Sequence, residues 1–290
     1  MSPAPHHSAR PWRTPLRGVL ALACLALGSG VLRAAEAGDA PRTVLLRHQF
    51  REGETECYRL TLAGKGTLAP QDTRLALPLR LAQELEVRRQ VKRVRQDGTA
   101  ELSLAYLPRR LEVNGTRIND TRALHSEAVV TPMGALREWR PLPAVANQPA
   151  PWALGSAALA ASLPWLAFPE HPVAAAASWP AAAPTDPGTW HRTTLAALEG
   201  APERAVAHLK QAFALPLHLR ASEAAGSPSA LTGRHAGDLT LRFDVAAGRL
   251  LHATGNIDVT ATLVQPDGTL ADLRLRLSVQ LQYLAPSAPR

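Results

Sequence analysis

Cysteine is nearly absent from this chain: its 290 residues include two, Cys24 and Cys57. Such a chain forms at most one internal disulfide, so its fold must depend on burial of apolar side chains rather than on cross-links. Aromatic residues make up only 4%, but 46% of the residues are hydrophobic, which is enough for the core of one large domain. This composition excludes a disordered or collagen-like chain.

Lysine is also scarce, since it supplies three of the 32 basic residues and arginine supplies the rest. The arginines mostly alternate with apolar residues along predicted strands instead of forming a stripe. That spacing is typical of a solvated sheet face, whereas nucleic-acid binding usually requires a clustered basic surface. Despite the net charge of +8, we therefore expect no nucleic-acid partner.

Motifs that carry chemistry are missing as well. The sequence after the first 37 residues contains no His-x-x-x-His spacing, no cysteine pair, no Gly-x-Ser-x-Gly elbow and no phosphate-binding glycine loop. We therefore predict no metal, no cofactor and no catalytic residue, and we expect that the protein is not an enzyme. Glu170 and His171, an acid–base pair in a proline-rich loop, keep a hydrolase as a distant alternative.

The N-terminus has the pattern of a secretory signal. Residues 1–17 contain three arginines and no acid, Gly18–Leu32 is apolar, and Ala35-Glu36-Ala37 resembles a cleavage site. The apolar run of 15 residues is shorter than the ~20 needed for a spanning helix. We predict a signal peptide over 1–37 and a periplasmic or extracellular protein with no transmembrane segment. Lipid attachment at Cys24 is disfavoured, because Ala21 stands where lipoproteins place a leucine.

Cleavage after Ala37 leaves Cys57 as the only cysteine. In the strand pattern around it, Tyr58, Leu60 and Leu62 share one face and Cys57 falls on the other. We therefore expect a partly exposed thiol, which is either inert or available for an intermolecular disulfide.

Period-two alternation is the strongest structural signal. From Leu75 to Val91 the odd positions are mostly apolar and the even positions mostly polar, which predicts one long half-buried strand. Pro78 places its beginning at an edge or a bulge, and a slip in phase between Val91 and Val94 predicts a second bulge. The dipeptides Asp97-Gly98 and Asn114-Gly115 predict hairpin turns.

Similar strands are predicted at both ends of the mature chain. We expect a first strand pair from Val44–Phe50 and Thr55–Leu62, and alternating strands with turns from Leu239 to Tyr283. Residues 201–213 fit either strand or helix, with strand favoured. The predicted fold class is mainly β, with a curved antiparallel sheet or half-barrel.

A stretch of different composition separates the two β regions. Residues 141–189 contain 10 prolines and 16 alanines, and 156–163 fits a short helix with Ser156 as its N-cap. We therefore predict a single exported domain over 38–290. It consists of a first β region at 38–140, a Pro/Ala/Trp-rich crossing segment at 141–189 and a second β region at 190–290.

Tryptophans cluster around the crossing segment, and we expect several of them on the concave face of the sheet. They either complete the core as a plug, line a site for an apolar ligand, or remain exposed for contact with sugars or membranes. The candidate ligand-lining residues are Trp152, Trp165, Trp179, Trp190, Leu102, Leu104 and Tyr106.

Several short motifs resemble an uncharacterised family of exported bacterial domains. They are an early strand with Tyr58, the hairpin from Val94 to Leu104, the box Pro169–Val173 followed by Trp179, and Phe243-Asp244 before a Gly248 turn. Where that family carries a glycine before the tryptophan, this chain has Ala176-Ala177-Ser178. The pattern is also similar to the half-barrel envelope proteins of the LolA type, which implies a curved sheet around an apolar groove and a lipid-type ligand.

Two functions therefore lead. The first is a non-catalytic envelope module that binds an apolar or amphipathic ligand, such as a lipid, on the inner face of the sheet. The second is a structural or protein-interaction domain whose sheet is filled by its own chain.

Overall fold

The computed structural model describes residues 42–73, 75–119, 123–141, 166–180, 190–220, 230–264 and 268–285. Within these ranges the chain is almost entirely β-structure. The strands are β1 (Thr43–Val44), β2 (Thr55–Pro70), β3 (Leu77–Val94), β4 (Ala100–Val113), β5 (Thr116–Arg117), β6 (Leu124–Val130), β7 (Leu136–Pro141), β8 (Val173–Ala174), β9 (Ser178–Pro180), β10 (Trp190–Glu199), β11 (Val206–Arg220), β12 (Ala230–Asp244), β13 (Arg249–Val264) and β14 (Leu270–Leu284). A single turn of 3-10 helix, Pro202–Arg204, precedes β11.

Twelve of these strands form one antiparallel sheet that does not close on itself. Its order is β7-β6-β4-β3-β2-β14-β13-β12-β11-β10-β9, with β5 paired to β4. The short strands β1 and β8 form a separate pair. This confirms the predicted mainly β fold with a large antiparallel sheet, and it resolves the ambiguity at 201–213, since β11 begins at Val206. The predicted helix at 156–163 lies outside the described residues.

The predicted turn chemistry is confirmed at both hairpins of β4. Gly98 has a φ of +80°, and Asn114 and Gly115 have φ values of 52° and 81°, the left-handed region that Asn and Gly tolerate best. The bulge predicted from the slip in phase is also confirmed, because the pairing of β3 with β4 shifts register between Val91 and Arg93. Pro78 lies where β3 has run past the end of β4, so its missing N–H breaks no hydrogen bond on that side.

The expected strand over Val44–Phe50 is wrong. Only Thr43 and Val44 are in a strand, and they pair with Val173 and Ala174 rather than with β2. Residues 45–54 instead cross the sheet. The backbone N–H of His48 donates to the Pro132 carbonyl at 2.7 Å, and the N–H of Gln49 donates to the Gly248 carbonyl at 3.4 Å.

These two hydrogen bonds show how strongly the sheet is curved. Pro132 follows β6 and Gly248 precedes β13, and these strands are five positions apart in the sheet, which corresponds to roughly 24 Å in a flat sheet. Two consecutive residues can bridge them only if the two carbonyls lie within about 10 Å of each other. The sheet therefore bends into an open half-barrel at this end.

Residues 166–180 complete the crossing. Near one flank, the Phe168 N–H donates to the Met133 carbonyl at 2.7 Å. At the other flank, β9 pairs with β10. We call residues 45–54 and 166–177 the plug. The plug end is the end of the sheet that they cover, and the far end is where β2 finishes and β3 and β14 begin.

The two faces of the sheet differ sharply in composition. The inner face carries the alternating buried residues of every long strand, whereas the outer face is mainly polar and exposed. Glycines occupy inner positions where neighbouring strands approach most closely. A Cβ on Gly66 would lie 1.9 Å from the Arg274 carbonyl oxygen, and one on Gly255 would lie 2.0 Å from that of Asp238. Glycine is required at these positions because any side chain would meet backbone.

Candidate ligand-binding site

Most of the described candidate lining residues lie on the inner face. Leu102, Leu104 and Tyr106 alternate along β4 and are all buried. Burial raises the pKa of Tyr106, and the adjacent Ser126 hydroxyl of β6 opposes part of that rise. These residues form one flank of the half-barrel.

Trp179 lies on the opposite flank, where it packs at the junction of β9 and β10. Its side chain is 7% exposed, it stands opposite Thr193 in the register, and its Nε1–H donates to the Ala167 carbonyl at 2.8 Å. The indole is therefore fixed by the plug and closes one side of the inner face.

Trp190 is not a lining residue. It belongs to β10, where Thr193 and Leu195 are fully buried on the inner face. By strand alternation Trp190 and Arg192 point to the outer face, and Trp190 is 47% exposed. The prediction failed because Trp190 was assigned by its proximity to the crossing segment and not by its phase in β10. Trp152 and Trp165 lie outside the described residues.

A patch of polar side chains interrupts the apolar inner face on β10, β11 and β12. His191 stands opposite Phe213, and Thr193 stands opposite Gln211. The Phe213 ring also lies between two imidazoles, with centroid distances of 6.3 Å to His191 and 5.5 Å to His235. We call His191, Thr193, Gln211, Phe213 and His235 the polar patch.

Three buried polar atoms of this patch make no hydrogen bond within the described chain: His191 Nε2, Thr193 Oγ1 and His235 Nδ1. Buried polar groups are normally satisfied, and leaving one unsatisfied costs about 1–3 kcal/mol. His191 and Thr193 lie two residues apart on β10, and His235 lies on β12 beyond the Phe213 ring. The two unpaired atoms on β10 therefore mark a place where a further hydrogen-bonding group is expected.

The histidines of the patch are electrically neutral near pH 7. Burial lowers the pKa of His191, and it lowers that of His235 to about 4. No other cause contributes to either shift, so no neighbouring charge is tuning these groups. The patch therefore offers hydrogen-bond donors and acceptors without net charge.

The plug end contains a second polar cluster, in which the charged groups are paired with each other. Arg89 and Glu56 form an ion pair that is almost completely buried, and the Tyr58 hydroxyl donates to the same carboxylate at 2.8 Å. The Arg89 guanidinium also lies 5.7 Å from the Phe50 ring centroid. Because these groups have one another as partners, the cluster holds the plug against β2 and β3 and is not a ligand site.

His48 anchors the same region. Its Nε2 accepts a hydrogen bond from the Leu166 N–H at 3.1 Å, and its ring lies against Phe50, Phe168 and Phe243. Burial, with a smaller contribution from the Arg89 charge, lowers the pKa of His48 to about 3. This neutral histidine links the two segments of the plug to each other.

The remaining chemical candidates stay apart from the polar patch. Glu170 and His171 are both exposed. Cys57 is a free thiol of intermediate exposure, as its phase predicted, and burial raises its pKa. Over the residues described above, no three His, Cys, Asp or Glu side chains converge as a metal site, and none of the helices is long and apolar enough to cross a membrane.

Sequence reasoning missed the polar patch because its histidines are scattered along the chain and match no motif. One signal could have found it. His191 and Thr193 share the alternation phase of Leu195, so both occupy the apolar face of their strand. Polar residues at strand positions that alternate with the core residues indicate either a buried hydrogen-bond network or contact with a ligand.

Comparison with known proteins yields little. No protein-family model matches this chain, and no curated protein matches it. Among solved structures, the chain is similar to that of DynF from the dynemicin biosynthesis pathway of Micromonospora chersina. The identity is 12%, the TM-score is 0.24, and the match covers 86% of this chain and 88% of that one. A likeness at this TM-score establishes neither a shared fold nor a shared function.

Proposed function

We propose that this protein is an exported, non-catalytic module that binds an amphipathic ligand on the inner face of its half-barrel. One observation carries the proposal: three buried polar atoms of the patch lack hydrogen-bond partners within the described chain. They lie on a face whose buried residues are mostly apolar, with leucine the most frequent. A face of this kind, largely apolar with a few convergent polar groups, is the usual character of a small-molecule site.

The charge state of the patch narrows the ligand class. Because burial lowers the pKa of His191 and of His235, neither imidazole offers a positive charge to an anion near pH 7. An uncharged hydroxyl, carbonyl or amide group of the ligand fits best, since it can pair with an imidazole nitrogen and the Thr193 hydroxyl. The hydrocarbon part of the ligand would then lie along the inner leucines, as the resemblance to half-barrel lipid carriers implies.

The polar patch supports binding better than catalysis. A serine- or threonine-type nucleophile requires a base within hydrogen-bond reach and a third group that orients the base. Thr193 and His191 make no such bond, and their described surroundings contain no carboxylate that shifts the pKa of His191. We therefore infer that the protein binds its ligand and releases it without chemical change.

The self-filled domain remains the second candidate, and the plug favours it. Leu46, His48, Leu166 and Phe168 are buried at the plug end, so this part of the inner face is occupied by the protein itself. The two functions differ at the polar patch. A filled domain gains nothing from the unpaired hydroxyl of Thr193, whereas a binding module uses it.

Native mass spectrometry of the protein, purified gently from an envelope extract, tests the proposal. We expect an added mass that disappears on extraction with organic solvent. Thr193→Val keeps the side-chain shape and removes the hydroxyl, so retention of this mass should fall about tenfold, as expected for one lost hydrogen bond of about 1.4 kcal/mol. Thr240→Val, on the exposed outer face of β12, is the matched control and should retain the ligand.

The melting temperature of the same variant tests whether the Thr193 hydroxyl is unsatisfied, and the bound mass separates the two functions. In the ligand-free protein, Thr193→Val should raise the melting temperature, because it removes an unsatisfied buried hydroxyl. If the melting temperature rises and neither the wild type nor Thr240→Val carries a bound mass, the self-filled domain is supported instead.

A further inference from the structure

The outer face near the far end of the sheet has an unfavourable arrangement of charge. Arg80 on β3 stands directly opposite Lys65 on β2, and Lys65 stands directly opposite Arg276 on β14. Arg274 lies two residues along β14 on the same face. Directly opposed cross-strand residues have Cβ atoms about 5 Å apart, and like charges at this spacing destabilise a sheet. We call Arg80, Lys65, Arg276 and Arg274 the cationic row.

The acidic groups near the cationic row neutralise only part of it. Asp258 lies 3.8 Å from Arg276, and Asp272 accepts hydrogen bonds from Gln71 and Thr262. Within the described chain, Lys65, Arg80 and Arg274 have no ion-pair partner. Further along the same strands the pattern differs, since Arg59 pairs with Glu84, and Arg88 and Arg109 pair with Glu86.

Exposed apolar side chains lie at the rim of the far end, further along the strands than this row. Leu75 and Leu77, where β3 begins, are 67% and 50% exposed, Leu270 at the start of β14 is 39% exposed, and Ile118 after β5 is 38% exposed. The Gln71 N–H donates to the Leu270 carbonyl, so the rim residue of β14 adjoins the connection from β2 to β3. Leu270 has the outer-face phase of Arg274 and Arg276, whereas Leu77 has the inner-face phase of Leu79. The apolar side chains thus form the edge of the far end, and the cationic row lies on the outer face behind that edge.

From this combination we propose that the far end docks on the surface of an anionic lipid bilayer. The cationic row contacts lipid phosphates, and the leucine rim enters the interface between head groups and acyl chains, as other interfacial anchors do. A nucleic acid would satisfy the cations but would give the exposed leucines no apolar surface. The proposal does not depend on the ligand at the polar patch, and either one can fail alone.

Vesicle co-sedimentation of the exported protein, purified without its predicted signal peptide, tests this docking. We expect binding to vesicles of equal phosphatidylglycerol and phosphatidylcholine, weak binding to phosphatidylcholine alone, and release from the anionic vesicles when NaCl rises from about 50 to about 500 mM. Equal binding of the wild type to both vesicle types would overturn the proposal.

Two triple variants with the same change in charge locate the docking surface. Each Lys or Arg near an anionic surface contributes about fivefold in affinity, so Lys65→Gln, Arg80→Gln and Arg274→Gln together should weaken binding on the order of 100-fold. The matched control is Arg51→Gln with Lys92→Gln and Arg93→Gln, three exposed residues at the plug end. It removes equal charge from the opposite end and should weaken binding less than about fivefold.

Equal weakening by the two triple variants would show an effect of net charge alone and would overturn the proposal. The triple variant of the cationic row should remain folded, because removing opposed like charges should leave its melting temperature unchanged or raised. Leu75→Ser with Leu77→Ser provides a test that leaves the charge unchanged. It should weaken binding about tenfold while the dependence on NaCl stays as in the wild type.

Discussion

The neutral, buried His48 should make the fold sensitive to acid. Its ring is 3% exposed, it accepts the Leu166 N–H through Nε2, and burial together with Arg89 lowers its pKa from 6.5 to about 3. The unfolded chain therefore takes up this proton more readily than the folded protein. The stabilisation is fully present above pH 6.5 and is lost as the pH falls from 6.5 towards 3.

The size of this effect follows from the pKa difference. Between its two pKa values, one such group contributes a slope of about 1.4 kcal/mol per pH unit. From pH 7.5 to pH 4.5, His48 alone should then remove about 2.5 kcal/mol from the free energy of unfolding. The pKa values of His191 and His235 are lowered as well, so their contributions have the same sign.

Urea unfolding at a series of pH values, followed by circular dichroism, measures this slope. His48→Gln retains an acceptor for the Leu166 N–H and cannot titrate. It should be less stable than the wild type at pH 7.5, and this difference should shrink by about 2.5 kcal/mol at pH 4.5. His171→Gln, at an exposed position, should keep the slope of the wild type. Parallel stability curves for wild type and His48→Gln would refute the reasoning.

Three further substitutions test the backbone and the core by thermal or urea unfolding. Ala176 is exposed with a φ of +67°, so Ala176→Gly should raise the free energy of unfolding by up to about 1 kcal/mol, and a loss would contradict the strained turn. Gly66→Ala should destabilise by about 3 kcal/mol, because its Cβ would lie 1.9 Å from the Arg274 carbonyl oxygen; an unchanged midpoint would show that the strands are further apart. Arg89→Met should cost about 3–5 kcal/mol, since it leaves the buried Glu56 carboxylate without its cation, and a neutral effect would mean that water reaches this pair.

Strands and turns were predictable because their signals are local. The alternation from Leu75 to Val91 identifies one face of β3, and the slip in phase near Val91 locates its bulge. Asn114-Gly115 identifies a hairpin turn through the positive φ values that these residues tolerate. Such features are determined by neighbours within a few residues, so they can be read from the chain directly.

The missing glycine before Trp179 shows how far local reasoning extends. The resemblance stated above led us to expect a glycine there, and in this chain the backbone enters the left-handed region at Ala176. The turn is formed even though its preferred residue is absent. Its neighbours hold it, because the Ala176 N–H donates to the Leu195 carbonyl and the Leu195 N–H donates to the Ala177 carbonyl.

By itself, the sequence determined a β-rich domain, the phase of its main strands and the polar or apolar character of each face. These properties depend on side-chain alternation and turn residues, which act over short distances. Only the tertiary structure decided that residues 45–54 cross the sheet and that His191 and His235 lie on either side of the Phe213 ring. It also decided that Lys65 stands between Arg80 and Arg276. Each of these outcomes depends on the register and curvature of strands far apart in the chain, and no local pattern of residues encodes them.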